Sequence, residues 1–444
     1  MGAKRHTSGL VFAIFFFIGI GSSLPWNVFI TAQAYFQHRL AATSYEDSFL
    51  NWFSMAFNVS TLMTMLVRTV VIAERMASAV RTVFFSLSVT MGVIFLHCAW
   101  TRMPEFHGYA FFQTTMLSIL LVACASTLMQ EGLLRIVATF PPQYTQAVVS
   151  GQSFAGLAVS MSNFIILWAG KDDVGLLDEL HASADLCAFV YFLLVFMMLV
   201  ACLVSFAILT RMQLFRHYQN VEHPGHKLKE YLEEEGSEAD TVESVDVSPR
   251  KSLLDPDEAT TDKVDMVEIA FKIRFYAAAM FFIFVVTLGV FPGITSAIQS
   301  VHPEQGVFFD KLFTPFTFIL FNLSDFVARL SASWWPTLGP KKVLLGSIAR
   351  LVFFPLLILC NLQNNAHEVI TTVLFRSDVV ALLFISSCAF SNGLLCTLAY
   401  MEYPTLLHKN QEKELGGSIL FFVLSVGLTA GSLMSFVLRA MLKQ

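Results

Sequence analysis

The chain has 444 residues, of which 55% are hydrophobic and only 14% charged. Soluble domains carry about 25% charged residues, so this composition excludes an ordinary soluble protein and indicates a chain that crosses a membrane many times. The 44 phenylalanines fit broad contact with lipid, and the formal net charge of −5 is unevenly spread.

A membrane-spanning helix needs about 20 apolar residues. Eleven such segments are predicted, near 9–36, 48–67, 82–100, 108–138, 145–169, 184–210, 272–300, 309–332, 342–362, 378–403 and 415–440. The N-terminal segment has a basic start and an apolar core like a cleaved signal, but its apolar run continues past Pro25, so a first span is the better reading. In "SLPWNVFITAQAYF" Pro25 removes one backbone hydrogen bond and is expected to bend that span. Trp26 follows it, about 17 residues into the span, deeper than an interfacial tryptophan sits. The fourth span carries "TLMQEGLLR", where Glu131 and Arg135 are four apart and suit a structural or gating ion pair. Gln130, one residue before, offers both a donor and an acceptor.

Between Asn220 and Asp265 the chain turns polar, with 14 acidic and 5 basic residues, a local charge of −9 that leaves +4 elsewhere. This composition predicts a disordered loop over 219–268, between an N-terminal six-helix bundle (1–218) and a C-terminal five-helix bundle (269–444). Ser248-Pro249 beside Arg250-Lys251 reads as a phosphorylation site or, more simply, as solvated linker. Two bundles joined by a long loop are a transporter layout, with a site near mid-membrane. "GVFPGITSAI" in the seventh span repeats the Pro/Gly interruption of the first, and such matched interruptions point to a transporter site.

The eighth span, "FILFNLSDFVARLSASWWP", contains Asp325 and Arg329. A charge at the bilayer centre costs about 2.5–3.5 kcal/mol by insertion scales, so the pair needs a watery cavity or a partner helix to face. It is either a ligand-binding pair or a tie between helices, and both roles can coexist. Phe318, Asn322, Asp325 and Arg329 form one stripe, a wall suited to a flat ligand with polar edges. Leu320, Leu323, Phe326 and Val327 make the opposite, lipid-like face.

Basic residues concentrate in alternate loops, which places the N-terminus in the cytoplasm and, with an odd number of spans, the C-terminus outside. The seven cysteines lie in or at the edge of apolar runs and read as small buried hydrophobes. No metal or cofactor signature, phosphate-cradling loop or nucleophile-and-base set is present, and no basic cluster suggests nucleic acid.

Assembled, these stretches resemble the equilibrative nucleoside transporters over nearly the whole length, apart from the acidic loop. The resemblance rests on "GIGSSLPWNVFITAQAYF", "FPPQYTQAVVSGQSFAG", "LGVFPGIT", "FNLSDFVARL", "ARLVFFPLLILCN", "FSNG" and "GLTAGSLMSFVLRAML", in that order. It implies an all-α polytopic fold of eleven transmembrane helices in a 6+5 arrangement, with pseudo-symmetric bundles of the major facilitator type. It also implies passive, bidirectional movement of purine or pyrimidine nucleosides by alternating access, with no enzyme activity and no cofactor. By the resemblance Trp26 stacks near the base, Gln130 reads its edge, and Asp325 with Arg329 contacts the ribose hydroxyls and base. Ile30, Phe291, Phe318 and Leu428 would be wall positions. The chain departs from the family pattern at Ala328, where glycine is common, at Glu131, where a small residue is usual, and at Ser22-Ser23. These departures leave open a change of ligand toward nucleobases, and Glu131 raises proton coupling. The alternatives are therefore a proton-coupled nucleobase, nucleoside or organic-ion transporter, and a polytopic signalling or scaffold protein working through the acidic loop. The expected setting is a monomer in the lipid bilayer of the plasma membrane.

Overall fold

The computed structural model describes residues 2–41, 43–46, 48–71, 78–103, 105–169, 184–220, 265–363 and 373–442. Most of the expected acidic loop, including Ser248-Pro249, lies outside these residues. In hydrocarbon every backbone N–H and C=O must find a partner within the segment, and apolar sequences of this length meet that demand as helices. The described residues are accordingly almost wholly helical, with a single isolated bridge between Ile298 and Leu362.

The first half contains α1 (Gly2–Thr31), α2 (Gln33–Arg39), α3 (Phe49–Leu66), α4 (Ala79–Trp100), α5 (Gly108–Ala138), α6 (Pro142–Ala169), α7 (Ala184–Arg211) and α8 (Gln213–Asn220). The second contains α9 (Met266–Lys272), α10 (Arg274–Val290), α11 (Phe313–Ser331), α12 (Pro340–Ala349), α13 (Phe353–Ile358), α14 (Asp378–Glu402) and α15 (Asn410–Leu442). Helix occupies each predicted span. Seven stretches are long and apolar enough to cross a membrane, within α1, α4, α5, α7, α10, α14 and α15. The remaining four, α3, α6, α11 and the α12–α13 pair, are shorter or more polar.

The two proline interruptions take different forms. α1 runs through Pro25 to Thr31 as one helix, whereas α10 ends at Val290, ahead of the Phe291–Pro292 peptide, which is cis. The ninth span is broken by a 3-10 turn at Arg350–Val352, between α12 and α13. Phe326, expected on the lipid-like face, is half-buried. Its ring lies 5.4 Å from Phe154 and 6.3 Å from Phe16, because α11 packs on α6 with one side and on α14 with another. Leu323 and Val327 are exposed as expected. Cys187 is exposed and Cys124 half-buried, while the other five cysteines are buried.

The largest core lies in the first half and is aromatic. Phe29, Phe36, Phe53, Phe111 and Phe192 surround buried Tyr35 and His97. At one end of this half Arg39 is buried, pairs with Asp185 at 2.8 Å, and donates to the carbonyls of Thr101, Met103 and Phe106. It thereby joins α2, the end of α4 and the start of α7. Phe85, Phe95, Leu194 and Phe436 point outward, as lipid contact requires.

α1 and α6 approach backbone to backbone. A Cβ on Gly19 would meet the carbonyl of Val148, and one on Gly151 would meet the carbonyl of Phe16. Small residues at such crossings let helices make close van der Waals contact, which drives association in lipid. Gly151→Ala is therefore expected to destabilise the protein by about 1–3 kcal/mol through overpacking. A lower thermal midpoint in detergent would show this, with Gly92→Ala, whose new methyl meets nothing within 4 Å, as the unchanged control.

Candidate functional site

α11 supplies the centre. Asp325 and Arg329 are one turn apart and both buried, at 6% and 8% exposure. Arg329 Nε donates to Asp325 Oδ2 at 2.8 Å, and Nη2 donates to Oδ1 at 3.5 Å. Asn392 Nδ2 of α14 donates to Oδ1 at 2.7 Å, and Ser153 Oγ of α6 donates to Oδ2 at 2.6 Å. The carboxylate thus joins three helices, one of them from the first half of the chain.

Behind it runs a second arginine. Thr287 of α10 donates to Asn392 Oδ1 at 2.7 Å, and Arg350 Nη2 donates to Thr287 Oγ1 at 2.8 Å. Arg350 also reaches the carbonyl oxygens of Ile283 and Cys388 and the hydroxyl of Ser391. The turn that breaks the ninth span places this guanidinium inside the second half. Gly393 leaves room at the same level, since a Cβ there would meet the Asp325 carbonyl and lie 3.1 Å from the Ala328 methyl.

On the first-half side, Gln130 Nε2 donates to the Ser22 carbonyl and Gln152 Nε2 to the Ser22 hydroxyl, each at 3.3 Å. Gln152 precedes Ser153, so α6 carries one polar group toward α1 and the next toward α11. Trp26 lies one turn after Ser22, half-buried, with its ring 4.5 Å from that of Phe57. Phe291 stacks flat on Phe321 at 3.9 Å and meets Phe318 edge-on at 5.2 Å. Asn322 donates to the Phe318 carbonyl and faces Gly156 of α6.

The structure therefore joins Asn322, Asp325 and Arg329 along one seam, and Phe291 with Phe318 beside it. Trp26 and Leu428 stay outside the hydrogen-bonded network; Leu428 packs against the larger core. The side chain of Ile30 is outside those described. Sequence reasoning singled out none of Ser153, Gln152, Asn392, Thr287, Arg350 or Phe321. Five of these, all but Thr287, lie in stretches that carry the family resemblance, "SGQSFAG", "FNLSDFVARL", "FSNG" and "ARLVFF", which was the available signal.

Toward one end of the bundle the halves meet again. Glu131 is fully buried, with Arg68 Nε and Arg135 Nε each 3.7 Å from its Oε1. Ser418 Oγ of α15 donates to the same oxygen at 2.5 Å, and Arg135 Nη2 pairs with Glu414 of α15 at 2.8 Å. Gln146 of α6, seven residues before Ser153, donates to the carbonyls of Arg329 and Leu330. The Glu131–Arg135 pair predicted from spacing thus belongs to a larger cluster that ties the turn after α3 (Val67–Val71), α5 and α15 together.

A family profile described as nucleoside transporter matches residues 116–440. The chain is 30% identical to human equilibrative nucleoside transporter 1, over 97% of both chains. It is 28% identical to rat equilibrative nucleoside transporter 3, over 95% of this chain and 87% of the relative. Among solved structures it superposes on the fucose:proton symporter of E. coli with a TM-score of 0.54 at 12% identity, over 98% of this chain and 92% of the other. The proton:xylose symporter XylE, a major facilitator superfamily protein, gives the same score and identity over 98% of this chain and 89% of its own. At that identity the likeness concerns the fold alone, which is an all-helical fold of the major facilitator type.

The cross-half pair yields a direct test. In a double-mutant cycle on Arg135→Met and Glu414→Met, read by thermal stability, the two changes are expected to couple by about 0.5–3 kcal/mol, as contacting charges do; additive losses would mean the pair contributes nothing. On its profile match and its full-length similarity to curated relatives, the chain belongs to the nucleoside transporter family.

Proposed function

We propose that this protein moves nucleosides passively across a membrane by alternating access, with Asp325 and Arg329 as the polar centre of the ligand site. The observation that carries the reading is a buried acid–base pair at the junction of the two halves, bonded to both. A carboxylate accepts ligand hydroxyls, and a guanidinium donates to carbonyls and ring nitrogens. Ribose and base offer both kinds of group. Phe291 and Phe318 supply an aromatic wall near the pair, Gln130 a polar edge from the first half, and Trp26 a partly exposed ring on the same helix as Ser22. Asn322, Ile30 and Leu428 complete the proposed lining.

In this reading the two halves, 1–218 and 269–444, rock about the site, joined by the acidic cytoplasmic segment 219–268, with eleven crossings in all. The N-terminus is cytoplasmic and the C-terminus extracellular, so the Glu131–Arg135–Glu414 cluster closes the cytoplasmic end. Opening that end requires parting Arg135 from Glu414 and Ser418 from Glu131, which suits a gate. The plasma membrane is the proposed location and the monomer the working unit. Nucleobases, lacking ribose, would leave Asp325 without its hydroxyl partners and are proposed as poorer ligands. Glu131 is read as part of this gate rather than as a proton carrier, since Arg68, Arg135 and Ser418 converge on its Oε1.

Two outcomes are expected for labelled adenosine and uridine uptake into cells lacking their own nucleoside carriers. Uptake saturates, stops at equal concentration on both sides, and ignores an imposed inward proton gradient; concentrative uptake driven by the gradient would reject the passive reading. Asp325→Asn and Arg329→Ala, at matched surface abundance, lower Vmax/KM about 10- to 100-fold, as expected for losing a hydrogen bond between ligand and charged group worth about 1.5–3 kcal/mol. Wild-type rates in both variants would remove the pair from the site.

A further inference from the structure

Among the described residues, four donor contacts fill Asp325: two from Arg329, one from Asn392 and one from Ser153. An ionised carboxylate has about four lone-pair positions, so no position is spare. A ligand hydroxyl can reach Asp325 only by displacing a donor already there.

The four are not equally replaceable. Arg329 Nε is charged, lies at 2.8 Å and shares the helix of Asp325. Asn392 is held from behind, because its Oδ1 accepts from Thr287, which in turn accepts from Arg350. Ser153 is different in each respect. It is neutral, makes one bond to the carboxylate, and stands on α6, in the half of the chain that has to move relative to α11. The Arg329 Nη2 contact on Oδ1, at 3.5 Å, is the other weakly held position. The two weak positions are on the two oxygens of one carboxylate, the spacing that a pair of vicinal hydroxyls matches.

We propose that Ser153 is an internal stand-in for a ligand hydroxyl: its Oγ occupies Asp325 when the site is unloaded, and the 2′,3′-diol of a ribose displaces it. This rests on the proposed reading of Asp325 as ligand-facing. Loading then breaks the mid-membrane bond between α6 and α11, while the two Gln146 bonds one end further along still hold the helices together. Ser153 also sets selectivity. A ligand with the diol replaces the lost bond, whereas one without it leaves either Ser153 in place or the carboxylate under-satisfied. Such discrimination comes from the penalty on the wrong ligand as much as from attraction to the right one. The competition lowers apparent affinity, because only the fraction of protein with Asp325 released is competent to bind.

The experiment compares uridine with 2′,3′-dideoxyuridine in wild type, Ser153→Ala, Ser153→Cys and Asp325→Asn, at matched surface abundance. Removing the competing hydroxyl is expected to lower the KM for uridine about 3- to 10-fold relative to that for the dideoxy compound, the range set by one net hydrogen bond. Ser153→Cys, a weaker donor of similar size, shifts the ratio in the same direction by less. An unchanged KM ratio, or a higher uridine KM in Ser153→Ala, overturns the proposal. Should Ser153→Ala fail to reach the surface, the Ser153→Cys ratio decides alone. Asp325→Asn separates the two layers. If it abolishes the preference for uridine while the Ser153 variants leave the ratio unmoved, the stand-in fails and the ligand-facing reading survives. If it leaves both compounds at wild-type values, the reading of Asp325 fails and the proposal with it.

Discussion

A carboxylate inside a bilayer has to be wrapped in donors, and the rest of this structure follows from where those donors come from. Asp325 takes them from α11, α6 and α14, and the chain of bonds behind Asn392 extends the wrapping to α10 and to the turn between α12 and α13. Five elements are thereby positioned by one acid. The requirement also explains why α6 and α11 do not qualify as apolar membrane spans. Each turns polar groups to the interior on one side and keeps apolar residues such as Leu323, Val327 and Met161 exposed on another.

Two polar layers connect the halves, and their chemistry differs. The layer at Asp325 is mixed: a charge pair, an amide and a hydroxyl. The layer at Glu131 is ionic and crossed by Arg135–Glu414. Breaking a buried ion pair is costly, whereas exchanging one neutral hydrogen bond for another is nearly neutral. The hydroxyl contact at Asp325 is therefore the cheaper of the two layers to rearrange, and the Arg135–Glu414 pair the more costly.

Much of this was readable in the sequence, for physical reasons. Apolar runs of about 20 residues stand out, and a charge within one stands out further. Asp325 with Arg329, and Glu131 with Arg135, were found that way because each pair sits one turn apart on a single helix. Their partners on other helices were not. Ser153 and Asn392 are small polar residues of a kind common in buried helices, and nothing local marks them as facing a carboxylate. Arg68, Glu414 and Ser418 converge on α5 only through tertiary packing. The partial burial of Phe326 against Phe154 and Phe16 was not legible either, because a helix wheel has two faces in projection, while α11 has neighbours on two sides and lipid on a third. Pro25 and Pro292 look alike in sequence. Only the second ends its helix, since Gly293 follows it and Phe291 turns back to stack on Phe321.

The backbone contact at Gly19 and Gly151 has a mechanical consequence. With no side chains between them at that crossing, α1 and α6 have no cushion along which to slide, and any displacement of one carries the other. Trp26 and Ser153 sit beyond the crossing on the two helices. They therefore move as parts of one unit, so a shift of the indole ring along the helix axis carries the hydroxyl on Asp325 in the same direction.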